Sequence, residues 1–217
     1  MSNEQVIQKT KEYVAQKFKS GGAGHDWWHM YRVWKLARRI AATEDVDMFI
    51  VELAALLHDI ADWKFNDGDV EAGPKAARAW LESLTVSEDV IVKIEDIVRN
   101  VSFKGAHVEQ NMKSREGKVV SDADKLDAVG AIGIARTFTY GGARDRPMYD
   151  PDVKPTQHQS FEDYKTGNSH TINHFYEKLL LLKDKLHTKT ARDIANHRHK
   201  FMEQYLDEFY KEWEGEL

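Results

Sequence analysis

The sequence predicts an all-α protein, and three observations carry that prediction. Apolar residues recur at helical spacing through most of the 217 residues, alternating strand patterns are nearly absent, and no internal repeat or low-complexity tract interrupts the chain. With 41% hydrophobic and 31% charged residues, the chain has the balance of a globular protein that buries a core. A compact single-domain helical bundle over residues 1–217 is the expectation, with a core at about 25–137, a long loop at about 138–167 and closing helices at about 168–213.

Val6, Tyr13, Val14 and Phe18 place a first helix that stops at Ser20-Gly21-Gly22. From Trp28 to about Ala42, Tyr31, Val33, Trp34, Leu36, Ala37 and Ile40 alternate with Arg32, Lys35, Arg38 and Arg39, the pattern of an amphipathic helix. Asp47 to about Ala61 is apolar over most of its circumference and reads as a central helix. Pro74 suits the first turn of a fourth helix, and Ser87 caps a fifth from Asp89 to Val101. Val119-Val120 leads into Ser121-Asp122-Ala123-Asp124, which reads as the opening of a helix from Lys125 to Ala135. Tyr140 to Gly167 holds three of the four prolines and Gly141-Gly142; it is too long for a mere connection and is expected to fold over a site. His170 to Leu186 and Thr190 to Trp213 read as two long closing helices.

Composition also excludes functions. The 31 basic residues face 36 acidic ones, so the net charge of −5 offers no general attraction to a phosphate backbone, and nucleic acid is not an expected partner. Without cysteine there is no disulfide, no thiolate nucleophile and no Cys-bound zinc; any transition metal must be held by His, Asp or Glu. The longest apolar runs fall far short of the ~20 residues of a membrane span, so no membrane partner is expected and a cytoplasmic protein fits best.

His58-Asp59 ends the most apolar helix, directly after Ala54-Ala55-Leu56-Leu57, where an imidazole and a carboxylate are costly to desolvate without compensation. A divalent cation supplies that compensation, because neutral imidazole and ionised carboxylate are both good ligands. Two further donors stand at helix starts, His29 in His29-Met30-Tyr31-Arg32-Val33 and Asp124 in Ala123-Asp124-Lys125-Leu126. His170 and His174 lie four apart and could chelate a metal, but without an acidic partner they read as packing or hydrogen-bonding residues.

A lone His, an adjacent His-Asp pair and a distant Asp, each on its own helix, resembles the HD-domain superfamily. The resemblance extends through Gly24-His25-Asp26-Trp27-Trp28-His29, Leu57-His58-Asp59-Ile60-Ala61-Asp62, Asp122-Ala123-Asp124-Lys125-Leu126-Asp127-Ala128, Tyr140-Gly141-Gly142 and Ser169-His170-Thr171-Ile172-Asn173-His174-Phe175. These segments look like the small bacterial HD hydrolases that include nucleoside triphosphate pyrophosphohydrolases.

By that resemblance His29, His58, Asp59 and Asp124 hold the metal, and the activity is hydrolysis of a phosphate ester by a metal-activated water. Nitrogen and oxygen ligation without sulfur makes Mn2+ the first choice, with Mg2+, Fe2+, Co2+ or Ni2+ as alternatives. Asp59 and Asp62 are the catalytic candidates, Asp62 as the acceptor of a proton from the attacking water. Arg32, Lys125, Arg136 and His25 are candidate substrate contacts, and Arg136, Arg144 and Arg146 could clamp a polyphosphate from the long loop. Asp122 and Asp127 flank Asp124 and could orient it.

The reaction implied is hydrolysis of a nucleoside or deoxynucleoside triphosphate to monophosphate and pyrophosphate. Three related reactions stay open: a nucleoside monophosphate phosphatase, a cyclic nucleotide phosphodiesterase and a ppGpp hydrolase. So does a non-catalytic nucleotide-binding protein, and so does a helical scaffold whose His-Asp residues are merely structural. The implied partner is a small phosphate ester, a nucleotide, and a homodimer suits a small, aromatic-rich helical chain.

Overall fold

In the computed structural model, residues 1–19, 26–61, 69–101, 112–156 and 170–217 are described. They are helical, without a strand among them. The described residues up to 124 form one compact unit and those from 125 to 217 another.

The first unit begins with α1 (Asn3–Lys17), opened by a reciprocal cap: the Ser2 hydroxyl accepts from the Gln5 N–H while the Gln5 side chain accepts from the Ser2 N–H. The amphipathic α2 (Trp27–Ala41) buries Val33, Trp34, Ala37 and Ile40, and α3 (Met48–Leu57) buries every residue from Ile50 to Leu57. α3 is therefore the centre of this unit, with α1, α2 and α5 (Glu88–Val101) packed on it and α4 (Ala72–Ser83) on α5. At roughly 1.5–3 kcal/mol per fully buried aliphatic side chain, Leu53, Leu56 and Leu57 alone contribute several kcal/mol.

One acid breaks the apolar run of α3, and it is answered. The Trp34 indole donates a 2.7 Å hydrogen bond to buried Glu52, and the Arg38 guanidinium lies 3.6 Å from the same oxygen. Trp80 of α4 likewise reaches α1, stacking on Tyr13 at 3.9 Å and donating to the Thr10 hydroxyl.

α6 (Arg115–Asp127) corrects the expectation of a helix opening at Asp124. Val119, Val120, Ala123 and Leu126 are all buried and repeat at helical spacing, so Ser121-Asp122 is helical and continues the helix of the two valines. Asp124 thus stands three residues before the last of α6, and the helix expected from Lys125 to Ala135 is two, with a break at Ala128-Val129 before α7 (Gly130–Gly142). The second helix takes 138–142 from the expected loop.

In the second unit, the expected helix from His170 to Leu186 is a short α8 (Asn173–Glu177) followed by a 3-10 helix, Leu179–Lys185. The chain breaks between them at Lys178, whose backbone leaves helical geometry at φ −143°. Only α9 (Lys189–Trp213) is long; it packs on α7 and on the 3-10 helix.

His170 ties Val153 to the start of α8. The Val153 carbonyl 3.0 Å from its Nε2 can only accept, so Nε2 carries the proton and Nδ1 accepts from the Asn173 N–H. The Asn173 side chain donates to the same Val153 carbonyl, and the N–H groups of Thr171 and Ile172 donate to Pro147 and Met148. Tyr149 is thereby set edge-on against His170, Phe209, Tyr210 and Trp213.

Candidate metal centre

His29, His58, Asp59 and Asp124 all belong to the first unit, and local structure aims each one. Asp26 caps α2, its carboxylate accepting from the His29 N–H at 2.8 Å. That bond ties the first turn of the helix, where the buried His29 stands, and it was legible in the Asp-x-x-His spacing, although the sequence reading gave Asp26 no role. α3 ends at Leu57 with His58 as its C-cap, and the Ile60 N–H bonds to the Leu57 carbonyl in a tighter turn. The expectation of a helix running on to Ala61 is corrected here.

The four donors meet. Asp59 Oδ2 is 3.7 Å from His29 Nε2 and 3.7 Å from His58 Nε2, and Asp124 Oδ1 is 3.6 Å and 3.8 Å from the same two nitrogens. These separations exceed those of hydrogen bonds. They are the separations of ligands around one ion, since bonds of ~2.1 Å hold two ligands between ~3.0 Å and ~4.2 Å apart. His29, His58 and Asp59 each offer an atom within 4.8 Å of the others.

His58 supplies the chemical test of fit. Its Nδ1 lies 2.8 Å from the Ala55 carbonyl, an acceptor only, so the proton resides on Nδ1 and Nε2 presents a lone pair. The imidazole is 3% exposed, and Nε2 has no hydrogen-bond partner. A buried unsatisfied nitrogen costs about 1–3 kcal/mol, and here it faces two carboxylates that cannot donate when ionised. A cation satisfies all of them at once. Two neutral imidazoles and two carboxylates carry a formal charge of −2, which a divalent ion neutralises.

The remaining candidates are placed differently. Arg32 is half-buried on α2, one helical turn after His29. Lys125 is buried, and Asp122 is fully buried on α6. Arg136 donates to the Asp127 carboxylate at 2.7 Å and to the Asp127 carbonyl. Arg198 donates to the Leu126 carbonyl, so Arg136 and Arg198 close the C-terminal end of α6, a role for Arg136 that the sequence reading did not foresee. His25 and Asp62 lie outside the described residues. Among the described residues, no helix is long and apolar enough to cross a membrane.

The HD domain family matches residues 27–129 of this chain. The Bacillus subtilis protein YpgQ is 34% identical over 216 residues, which cover 99% of this chain and 97% of YpgQ. The crystal structure of YpgQ in complex with ADP has a TM-score of 0.78 to this one, at 33% identity over 98% of this chain and 97% of that one. An HD-superfamily hydrolase from Bacillus thuringiensis is 42% identical, with a TM-score of 0.77, covering 98% of this chain and 99% of its own. A Lactobacillus plantarum protein has a TM-score of 0.85 at 35% identity, over 99% of this chain and 100% of its own. Family match, near full-length identity and shared architecture agree with the His-Asp geometry, and the chain belongs to the HD-domain superfamily as one of its hydrolases.

Proposed function

We propose that this hydrolase splits nucleoside or deoxynucleoside triphosphates into monophosphate and pyrophosphate, with His29, His58, Asp59 and Asp124 holding a divalent ion, manganese first. The single observation that carries the reading is the buried, unpartnered Nε2 of His58 facing two carboxylate oxygens and a second imidazole. YpgQ, which matches nearly the whole chain, binds ADP, and that supports a nucleotide as the ligand.

When bound, the divalent ion supplies Lewis acidity at a phosphoryl oxygen and a water of lowered pKa. The chain's own residues do the rest. Ala55 keeps the His58 proton on Nδ1, so His58 acts through its lone pair and not as an acid. Asp59, with its side chain only 10% exposed, is held where its charge selects a cation. Asp62 accepts the proton of the attacking water, and Arg32, Lys125, Arg136 and His25 bind phosphate. Arg136 is itself positioned by its bonds to the Asp127 carboxylate and carbonyl. The chain works as one HD-type domain over residues 1–217, cytoplasmic and dimeric.

The test is a manganese-supplemented screen of nucleotides with the products identified, repeated on Asp59→Ala. Monophosphate and pyrophosphate from the native enzyme, and no turnover by the variant, are expected. Orthophosphate or a ring-opened product in their place would overturn the substrate assignment, and full activity of Asp59→Ala would overturn the metal reading.

A further inference from the structure

The end of α7 carries two arginines that the site described above does not use. Arg144 and Arg146 lie with their guanidinium carbons 5.4 Å and 6.0 Å from the ring centroid of Tyr140, within cation–π reach. Tyr140 is 41% exposed, Arg144 is exposed and Arg146 half-buried, so the group faces solvent.

Their backbone is fixed. The Arg146 N–H donates to the Gly141 carbonyl at 2.9 Å and the Asp145 N–H to the Gly142 carbonyl at 3.2 Å, with Asp145 left-handed at φ +54°. That is the closing pattern of a helix C-terminus, and it turns the chain so that residues 144 and 146 both reach back to the ring.

No acid among the described residues answers this pair. Arg78, Arg99, Arg115 and Arg136 each hold a carboxylate. Among the described residues, neither Arg144 nor Arg146 makes an ion pair or a side-chain hydrogen bond, and Asp145 between them pairs with neither. Lys178 adds to the positive field: burial first, and then Lys178 and Arg146, hold His174 down to a pKa of about 3. In a chain of net charge −5, Arg144 and Arg146 make a local positive patch that, among the described residues, no carboxylate answers.

We infer that Tyr140, Arg144 and Arg146 form a polyphosphate-recognising surface of the second unit, the two guanidiniums taking adjacent phosphates of a nucleoside di- or triphosphate and the exposed Tyr140 ring offering a stacking face. Guanidiniums match phosphate oxygens in fork geometry, and both of these lie within 6.0 Å of the same ring centroid. The inference rests on the nucleotide reading above for its ligand.

The experiment is calorimetric titration of the manganese-loaded full-length protein with ADP and with inorganic tripolyphosphate, for the native chain and for Arg144→Gln/Arg146→Gln. Circular dichroism checks that the variant is folded. The native protein should bind both probes, and the variant should bind each about tenfold or more weakly. Equal affinities in the two proteins, or no binding of tripolyphosphate by the native chain, would overturn the inference. If affinity falls as stated but no triphosphate is ever cleaved, the proposed activity fails while this surface stands. Cleavage by the native chain together with equal affinities in the two proteins sinks this surface and leaves the activity.

Discussion

The metal reading is tested most directly by His58→Ala, because the structure gives the cost of each atom removed. The variant loses the hydrogen bond to the Ala55 carbonyl, worth about 1 kcal/mol, together with some packing of a side chain that is 3% exposed. It also removes the unsatisfied Nε2, which costs the metal-free native protein about 1–3 kcal/mol. These changes oppose one another, so metal-free native and variant proteins should melt within about 3 °C of each other. Metal separates them. At a hundredfold excess over Kd, an ion that binds only the folded state stabilises by about 2.7 kcal/mol. For a domain of this length that is a rise of roughly 5–10 °C in Tm. Thermal melting with and without manganese should therefore give the full rise in the native protein and almost none in His58→Ala, with elemental analysis showing metal in the first and not in the second. A variant that keeps the rise, or a native protein that shows none with any of manganese, magnesium, iron, cobalt or nickel, would refute the reasoning.

Two further outcomes follow from packing and charge. In Gly141→Ala the new Cβ stands 2.3 Å from the hydroxyl of buried Thr171, so overpacking should destabilise by about 1–3 kcal/mol in chemical denaturation; Thr171→Ala should recover part of the loss, and simple additivity of the two changes would contradict the clash. His174, neutral in the folded state down to about pH 3, takes up its proton near 6.5 once unfolded, so the unfolded chain gains protons first as pH falls. Stability should drop between pH 6.5 and 3, by up to about 2 kcal/mol at pH 5, with Tm falling more in the native protein than in His174→Gln. Glu71 and Glu88, held below their usual range by Arg99 and Arg78, lose those pairs only at lower pH, and equal acid sensitivity of the two proteins would refute the assignment.

The fold class was legible because the core of each helix repeats its apolar residues at helical spacing, as on α2, where Val33, Trp34, Ala37 and Ile40 are all buried. Where local chemistry competed with that spacing, local chemistry misled. Ser121-Asp122-Ala123-Asp124 has the residues of a helix cap, yet Val119, Val120, Ala123 and Leu126 form one buried stripe that carries the helix straight through them. Leu179 to Leu182 is apolar enough for a long helix, but the backbone breaks at Lys178 and goes on as a 3-10 segment, which the apolar pattern alone does not distinguish from a longer α-helix.

The four donor residues were read from order and context, since nothing in their spacing alone fixes a distance between residues 29, 58 and 124. What the sequence could not supply was the partner of His58, because the Ala55 carbonyl is backbone and leaves no mark on residue type. Gly141-Gly142 shows the same limit. Only the structure says that the first glycine is pressed against Thr171 while the second has open space around it.

The ending of α3 at Leu57 has one more consequence. His58 and Asp59 are neighbours in the chain and reach the same centre from a tightened turn, so the pair is a matter of counting as much as of chemistry. One residue inserted between Leu57 and Asp59 would leave every donor type present and yet swing one of them away. Tolerance to insertions should accordingly be high in exposed connections and vanish here, a constraint on chain length that substitution scanning alone would never expose.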